Sequence, residues 1–173
     1  MALRAVAMPF NVFDLLGRVR RRSPKIANRL MDRLLTQLIP LVRGLDVRVL
    51  ELNDLRCVLS MPLRKRTRNH VGSMYFGAQM TLADLTVGAL AFSRFPPGPF
   101  GGLIKRVEAD FLVKAKGTIR CVCEPPLEVL DALERVRDDP SGRSEAWVPL
   151  SLLDRDDQVV TKVRFLVALK RFD

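Results

Sequence analysis

The sequence predicts an α+β fold in which one long antiparallel sheet wraps around a central buried helix, with an N-terminal helical extension. Three observations predict it. Apolar residues alternate with period two over residues 45–61, and again over 103–123 and 146–169, as strands with one buried face require. Between the first two of these stretches, residues 71–92 are too apolar on every side for a surface helix. Residues 10–22 and 24–39 carry the 3.6-residue period of amphipathic helices instead.

Each element has its own signals. Ser23 at a cap position, Pro24 in the first turn and apolar Ile26, Leu30, Leu34, Leu35 and Leu38 define the second helix, and Pro40 stops it. Leu45, Val47 and Val49, then Leu55, Cys57, Leu59 and Met61, alternate across an Asn53-Asp54 turn and read as a hairpin. In residues 71–92, Gly72, Gly77, Gln79, Asp84 and Gly88 argue against a membrane span, and the small residues suit a helix gripped closely by a sheet. The Pro/Gly-rich run 94–102 cannot continue that helix. Leu103, Val107, Ala109, Phe111 and Val113 then form one strand face, and Gly117 turns the chain into Ile119, Cys121 and Cys123. Residues 125–137 read as a short helix. The last hairpin pairs residues 146–152 with 159–169 across Asp154-Arg155-Asp156-Asp157. The division expected is a helical extension over residues 1–40 and a sheet-and-helix domain over 41–173.

Composition narrows the function. With 173 residues, 48% of them hydrophobic, the chain can bury one full core. Cys57, Cys121 and Cys123 lack metal-ligand spacing and read as core thiols of a reducing cytoplasm. A single histidine, His70, leaves almost no material for a zinc site or a Ser/His/Asp triad, so no metal is expected. The +10 net charge is N-terminal: residues 1–70 hold 15 Lys/Arg against 5 Asp/Glu, and the remainder is balanced. Such a region suits an anionic membrane, nucleic acid or a phosphorylated ligand. With 6% aromatic residues and no recognition motif, nucleic acid is the least favoured. The apolar start followed by Arg18, Arg20, Arg21 and Arg22 has the wrong order for a secretory signal; a transit peptide or an amphipathic helix lying on the domain remain.

Asp84 is the one fully charged residue between Arg68 and Arg94. A carboxylate in apolar surroundings tends toward a raised pKa, and such groups concentrate at functional sites. The alternative is a structural Asp bonded to a loop or across a dimer interface.

Upstream stands Asn69-His70-Val71-Gly72-Ser73-Met74-Tyr75-Phe76-Gly77, leading to Leu82-Ala83-Asp84. This pattern resembles the signature of the phenylacetyl-CoA-type hotdog thioesterases. Asn69, Gly72, Gly77, Leu82, Ala83 and Asp84 fall at matching spacings, and the strand order fits over residues 41–170. Two positions depart: Tyr75 stands where that family has histidine, and Phe76 where it has its first glycine. In these the chain is closer to a hotdog subfamily of unknown function.

The resemblance implies a hotdog fold, a homodimer or tetramer, and hydrolysis of an acyl-CoA, with coenzyme A entering as part of the substrate. Asp84 is then general base or nucleophile, the amides near Phe76 and Gly77 polarise the thioester carbonyl, and Asn69 orients water or thioester or else caps its loop. Tyr75 offers a hydroxyl in place of the imidazole, or packs. His70 binds substrate or a backbone carbonyl. Gln79 contacts substrate or bonds helix to sheet. Arg64, Lys65, Arg66 and Arg68 hold the coenzyme A phosphates or form a solvated loop. The Pro/Gly run borders an acyl tunnel or is a rigid turn. The competing function is a non-catalytic hotdog protein that binds an acyl chain or other hydrophobic ligand.

Overall fold

Pro24 opens the first helix, α1 (Pro24–Leu38), in the computed structural model, which describes residues 22–95 and 98–172. Its fixed φ suits a first turn, where no amide partner is required. Ser23 stands at the cap, but its hydroxyl makes no capping bond. Met31 and Leu35, one turn apart, enter the core, and Asp32 accepts the Val49 amide at 2.7 Å, which ties the helix to the first strand. Pro40 begins a 3-10 turn (Pro40–Val42) that ends this element. The helix expected over residues 10–22 lies outside the described residues, Arg22 apart, as do Pro96 and Pro97.

The hairpin is β1 (Arg48–Leu52) and β2 (Cys57–Pro62), paired antiparallel. Its start falls later than the alternation from Leu45 suggests, because Gly44 and Asp46 adopt positive φ just before it. The Asn53 carboxamide oxygen accepts the amides of Leu55 and Arg56 at 2.9 and 2.8 Å and closes the turn.

The central helix α2 (Phe76–Arg94) follows, then β3 (Phe100–Phe111), β4 (Thr118–Cys123), the short α3 (Leu127–Glu134), β5 (Arg143–Leu153) and β6 (Val159–Arg171). The six strands form one antiparallel sheet in the order β1-β2-β4-β5-β6-β3. Helix α2 packs on β2, β4 and β5, with β6 and β3 beyond. One apolar helix held against one long sheet is the hotdog fold. Among the described residues no helix is long and apolar enough to cross a membrane.

Two expectations need correction. Helix α2 is not buried on every side. Leu82, Ala83, Leu85, Thr86, Val87, Ala89 and Leu90 are buried, whereas Gly77, Thr81, Asp84, Gly88 and Phe92, spaced at three and four residues, form a stripe that is open or half-open. The stripe escapes a polarity count because glycine and a phenylalanine occupy much of it. Strand β3 also carries a bulge between Ile104 and Arg106. Before the bulge Ile104 lies opposite Val167, and after it Val107, Ala109 and Phe111 lie opposite Phe165, Val163 and Thr161. Leu103 therefore leaves the face that period-two counting assigns to it and Ile104 takes its place, while Val113 lies past the strand end.

Candidate active site

The loop before α2 is anchored by Thr67, which is fully buried. Its hydroxyl donates to the Pro62 carbonyl at 3.0 Å and accepts the Arg64 amide at 2.8 Å. Tyr75 N–H donates to the Thr67 carbonyl at 2.7 Å and Met74 N–H to the Ala115 carbonyl at 2.8 Å, so the start of α2 is clamped on both sides. Asn69 closes the loop: its Oδ1 accepts the amides of Val71 and Ser73 at 3.1 and 3.0 Å, and its Nδ2 donates to Ser73 Oγ at 3.0 Å. Of the two roles open to Asn69, the geometry displays the cap. Gly72 has φ +78°, a conformation that a larger residue would resist.

Tyr75 is the cap residue of α2, and no side chain caps the helix. The amides of Phe76, Gly77 and Ala78 therefore form an uncapped first turn at the positive end of the helix dipole. Gly77 lets the Tyr75 ring fold over that turn, since a Cβ there would stand 2.7 Å from Tyr75 Cε1. The Phe76 ring lies 4.9 Å from that of Tyr75 and meets Phe111 of β3 edge-on at 6.4 Å. Tyr75, Phe76 and Phe111 are all about half exposed.

Asp84 lies two turns further on and borders a groove of about 400 Å³. The other walls are Leu85, Val87, Gly88, Ala89, Ala91 and Phe92 of α2, Leu35 and Ile39 at the end of α1, Gly102, Leu103 and Ile104 of β3, and Val167 and Leu169 of β6. Every one of these is apolar or glycine. The carboxylate is exposed to the groove rather than sealed inside the helix packing, which corrects the expectation of a buried group. Desolvation by its apolar surroundings still pushes its pKa above the ordinary 3.8.

Seven residues at 1.5 Å rise put Asp84 roughly 10 Å along the axis from the Gly77 amide. A single chain therefore does not bring its carboxylate and its uncapped amides to one carbonyl. The basic residues belong to the amide end: Arg64, Lys65, Arg66, Arg68 and His70 are exposed on the loop leading to α2. Arg64 lies 3.5 Å from Asp46, the Arg66 guanidinium sits over Gly44, and Arg68 bridges to Met74 through the backbone.

Of the two roles open to Gln79, the geometry displays the bond from helix to sheet. The side chain is buried; its Nε2 donates to the Met74 carbonyl at 3.1 Å and its Oε1 accepts the Thr161 hydroxyl at 2.6 Å. Both ends of the amide are thus engaged within the fold, away from the groove. Nothing in the sequence marks Leu35, Ile39, Phe92 and Ile104 as groove walls, and Gly88 does not make the close contact with the sheet that small helix residues suggest. A Cβ at Gly88 would meet nothing within 4 Å. Its place four residues after Asp84, on the same helix face, was the available signal.

Residues 27–169 match DUF4442, a domain of unknown function. The chain belongs to this family. A Pseudomonas aeruginosa protein of unknown function, PA5026, described as a probable thioesterase, is 31% identical over 83% of this chain and 96% of its own, with a TM-score of 0.73. The Staphylococcus aureus thioesterase SAV0944 is 17% identical over 76% of this chain and 98% of its own, at TM-score 0.62. The PaaI protein of the E. coli phenylacetic acid degradation operon is 12% identical over 82% and 90%, at 0.59. These last two share the fold. No curated protein matches the chain.

Proposed function

We propose that this protein is a thioesterase that hydrolyses an acyl-CoA, working in the cytoplasm as a homodimer in which each active site draws on both subunits. The observation that carries the reading is Asp84, a lone carboxylate with a raised pKa at the edge of an otherwise apolar groove. An acyl chain fits the apolar walls and leaves its thioester beside the carboxylate.

In the reaction, Asp84 takes a proton from water as the water oxygen bonds to the thioester carbon, or its own oxygen attacks to give an acyl intermediate that water then cleaves. The carbonyl electron pair moves to oxygen, where the uncapped amides of Phe76 and Gly77 stabilise it. Collapse expels the thiolate, which takes up a proton. Since these amides lie roughly 10 Å from Asp84 of the same chain, the amides come from the second subunit. The half-exposed Phe76, Val107 and Phe111 beside the sheet-edge strand β3 supply the surface on which that subunit docks. Arg64, Lys65, Arg66 and Arg68, adjacent to the amides, meet the coenzyme A phosphates.

Asp84→Asn tests the reading. Turnover of an acyl-CoA panel is expected to fall by about 10²- to 10⁴-fold, the usual contribution of general base catalysis, with the circular dichroism spectrum unchanged. Full activity in this variant would remove Asp84 from the chemistry. Absence of hydrolysis in the wild type, with an acyl ligand co-purifying, would select the binding protein instead.

A further inference from the structure

The feature left over is Gly88. Glycine in a helix interior is disfavoured relative to alanine, so its presence calls for a neighbour that a methyl group would strike. Among the described residues there is none. Gly102, across the groove, is different: a Cβ there would already stand 3.3 Å from Leu169 Cδ2. Gly88 lies one turn beyond Asp84 on the open stripe of α2, and both border the same groove.

The direction of the groove says what the space is for. Its α2 residues run from Asp84 to Phe92, eight residues or roughly 12 Å of helix, and Asp84 stands at one end. The walls beyond it are aliphatic: Leu35 and Ile39 on one side, Leu103, Ile104, Val167 and Leu169 on the other. Phe92 is aromatic and lies at the end remote from the carboxylate.

We propose that Gly88 is the chain-length determinant of this protein: an unbranched aliphatic acyl chain leaves the reacting carbon beside Asp84, crosses the bare backbone at Gly88 and ends near Phe92. The substrate class is a medium-chain aliphatic thioester. This rests on the thioesterase reading for the reaction, but not for the occupancy of the groove.

Two measurements separate those claims. Hydrolysis of butyryl-, octanoyl-, lauroyl- and palmitoyl-CoA is compared in the wild type, Gly88→Ala and Gly88→Leu. The wild type is expected to favour octanoyl- and lauroyl-CoA over butyryl- and palmitoyl-CoA. In Gly88→Leu the ratio of lauroyl to butyryl kcat/KM is expected to fall by about tenfold or more, the scale of a mismatched apolar pocket, and in Gly88→Ala by less. Fluorescence titration with cis-parinaric acid reads the groove without chemistry: the wild type binds it and Gly88→Leu binds it at least about tenfold more weakly. If the wild type hydrolyses nothing but this difference in binding holds, the reaction fails and the groove assignment stands. If Gly88→Leu keeps the wild-type chain-length ratio and the wild-type parinaric affinity, the proposal is overturned. It is overturned equally if light scattering shows that Gly88→Leu loses its subunit partner, because Gly88 is then a packing glycine between subunits. Gly88→Ala, whose methyl meets nothing among the described residues, decides the matter if the leucine variant does not fold: an unaltered ratio and affinity in it also overturn the proposal.

Discussion

Asp84 owes its chemistry to what surrounds it. Its pKa is raised by desolvation alone, in a groove whose other walls carry no charge. The folded chain therefore holds the proton more tightly than the unfolded chain. Stability is complete below the ordinary carboxylate value of 3.8 and is lost as pH climbs through the higher folded value. Asp84→Asn removes that loss. Thermal melts should show the variant at least as stable as the wild type at neutral pH, with the gap closing in acid. The same shift places the acid limb of the kcat/KM profile above 3.8, and in Asp84→Asn that limb should vanish. Asp84 was legible in the sequence because it is the only charge in a long apolar run. Gly88 was not, because a glycine in a helix can mean close packing or empty space, and only the neighbours distinguish them.

At the scale of elements, a buried polar bond ties α2 to the sheet. Gln79 spans from the Met74 carbonyl to the Thr161 hydroxyl of β6, and Thr86 Oγ1 returns to the Leu82 carbonyl at 2.6 Å within the helix. Thr161→Val would leave the Gln79 oxygen buried without its donor, at a cost of about 1–3 kcal/mol. Urea denaturation should report this as a lower midpoint with an unchanged slope. The two long hairpins and the helices announced themselves through their periods, because a half-buried strand and a half-buried helix each repeat at a fixed spacing. The β3 bulge did not, since inserting one residue shifts the alternation without altering composition.

For the whole molecule, the placement of β3 at the sheet edge leaves a twelve-residue strand with one side unpaired among the described residues. Leu103 is 68% exposed and Phe111 48%, and Phe76 reaches toward Phe111 from the helix start. An unpaired strand edge with exposed apolar side chains invites a second copy. Phe111→Glu, at a site outside the core, should convert the proposed dimer to monomer in sedimentation velocity runs. Thioester hydrolysis should fall with it, since the carboxylate would lose the amides of the other subunit. A variant that stays dimeric would move the interface elsewhere.

The sequence alone determined the class of the fold, the central helix and the one carboxylate on it, because periodicity, turn chemistry and an isolated charge are properties of neighbours along the chain. Only the tertiary structure decided which stripe of α2 stays open, that Gln79 serves the core and that α1, β3 and β6 wall the groove beside Asp84. Those facts depend on contacts between residues far apart in the chain, and local spacing carries no record of them.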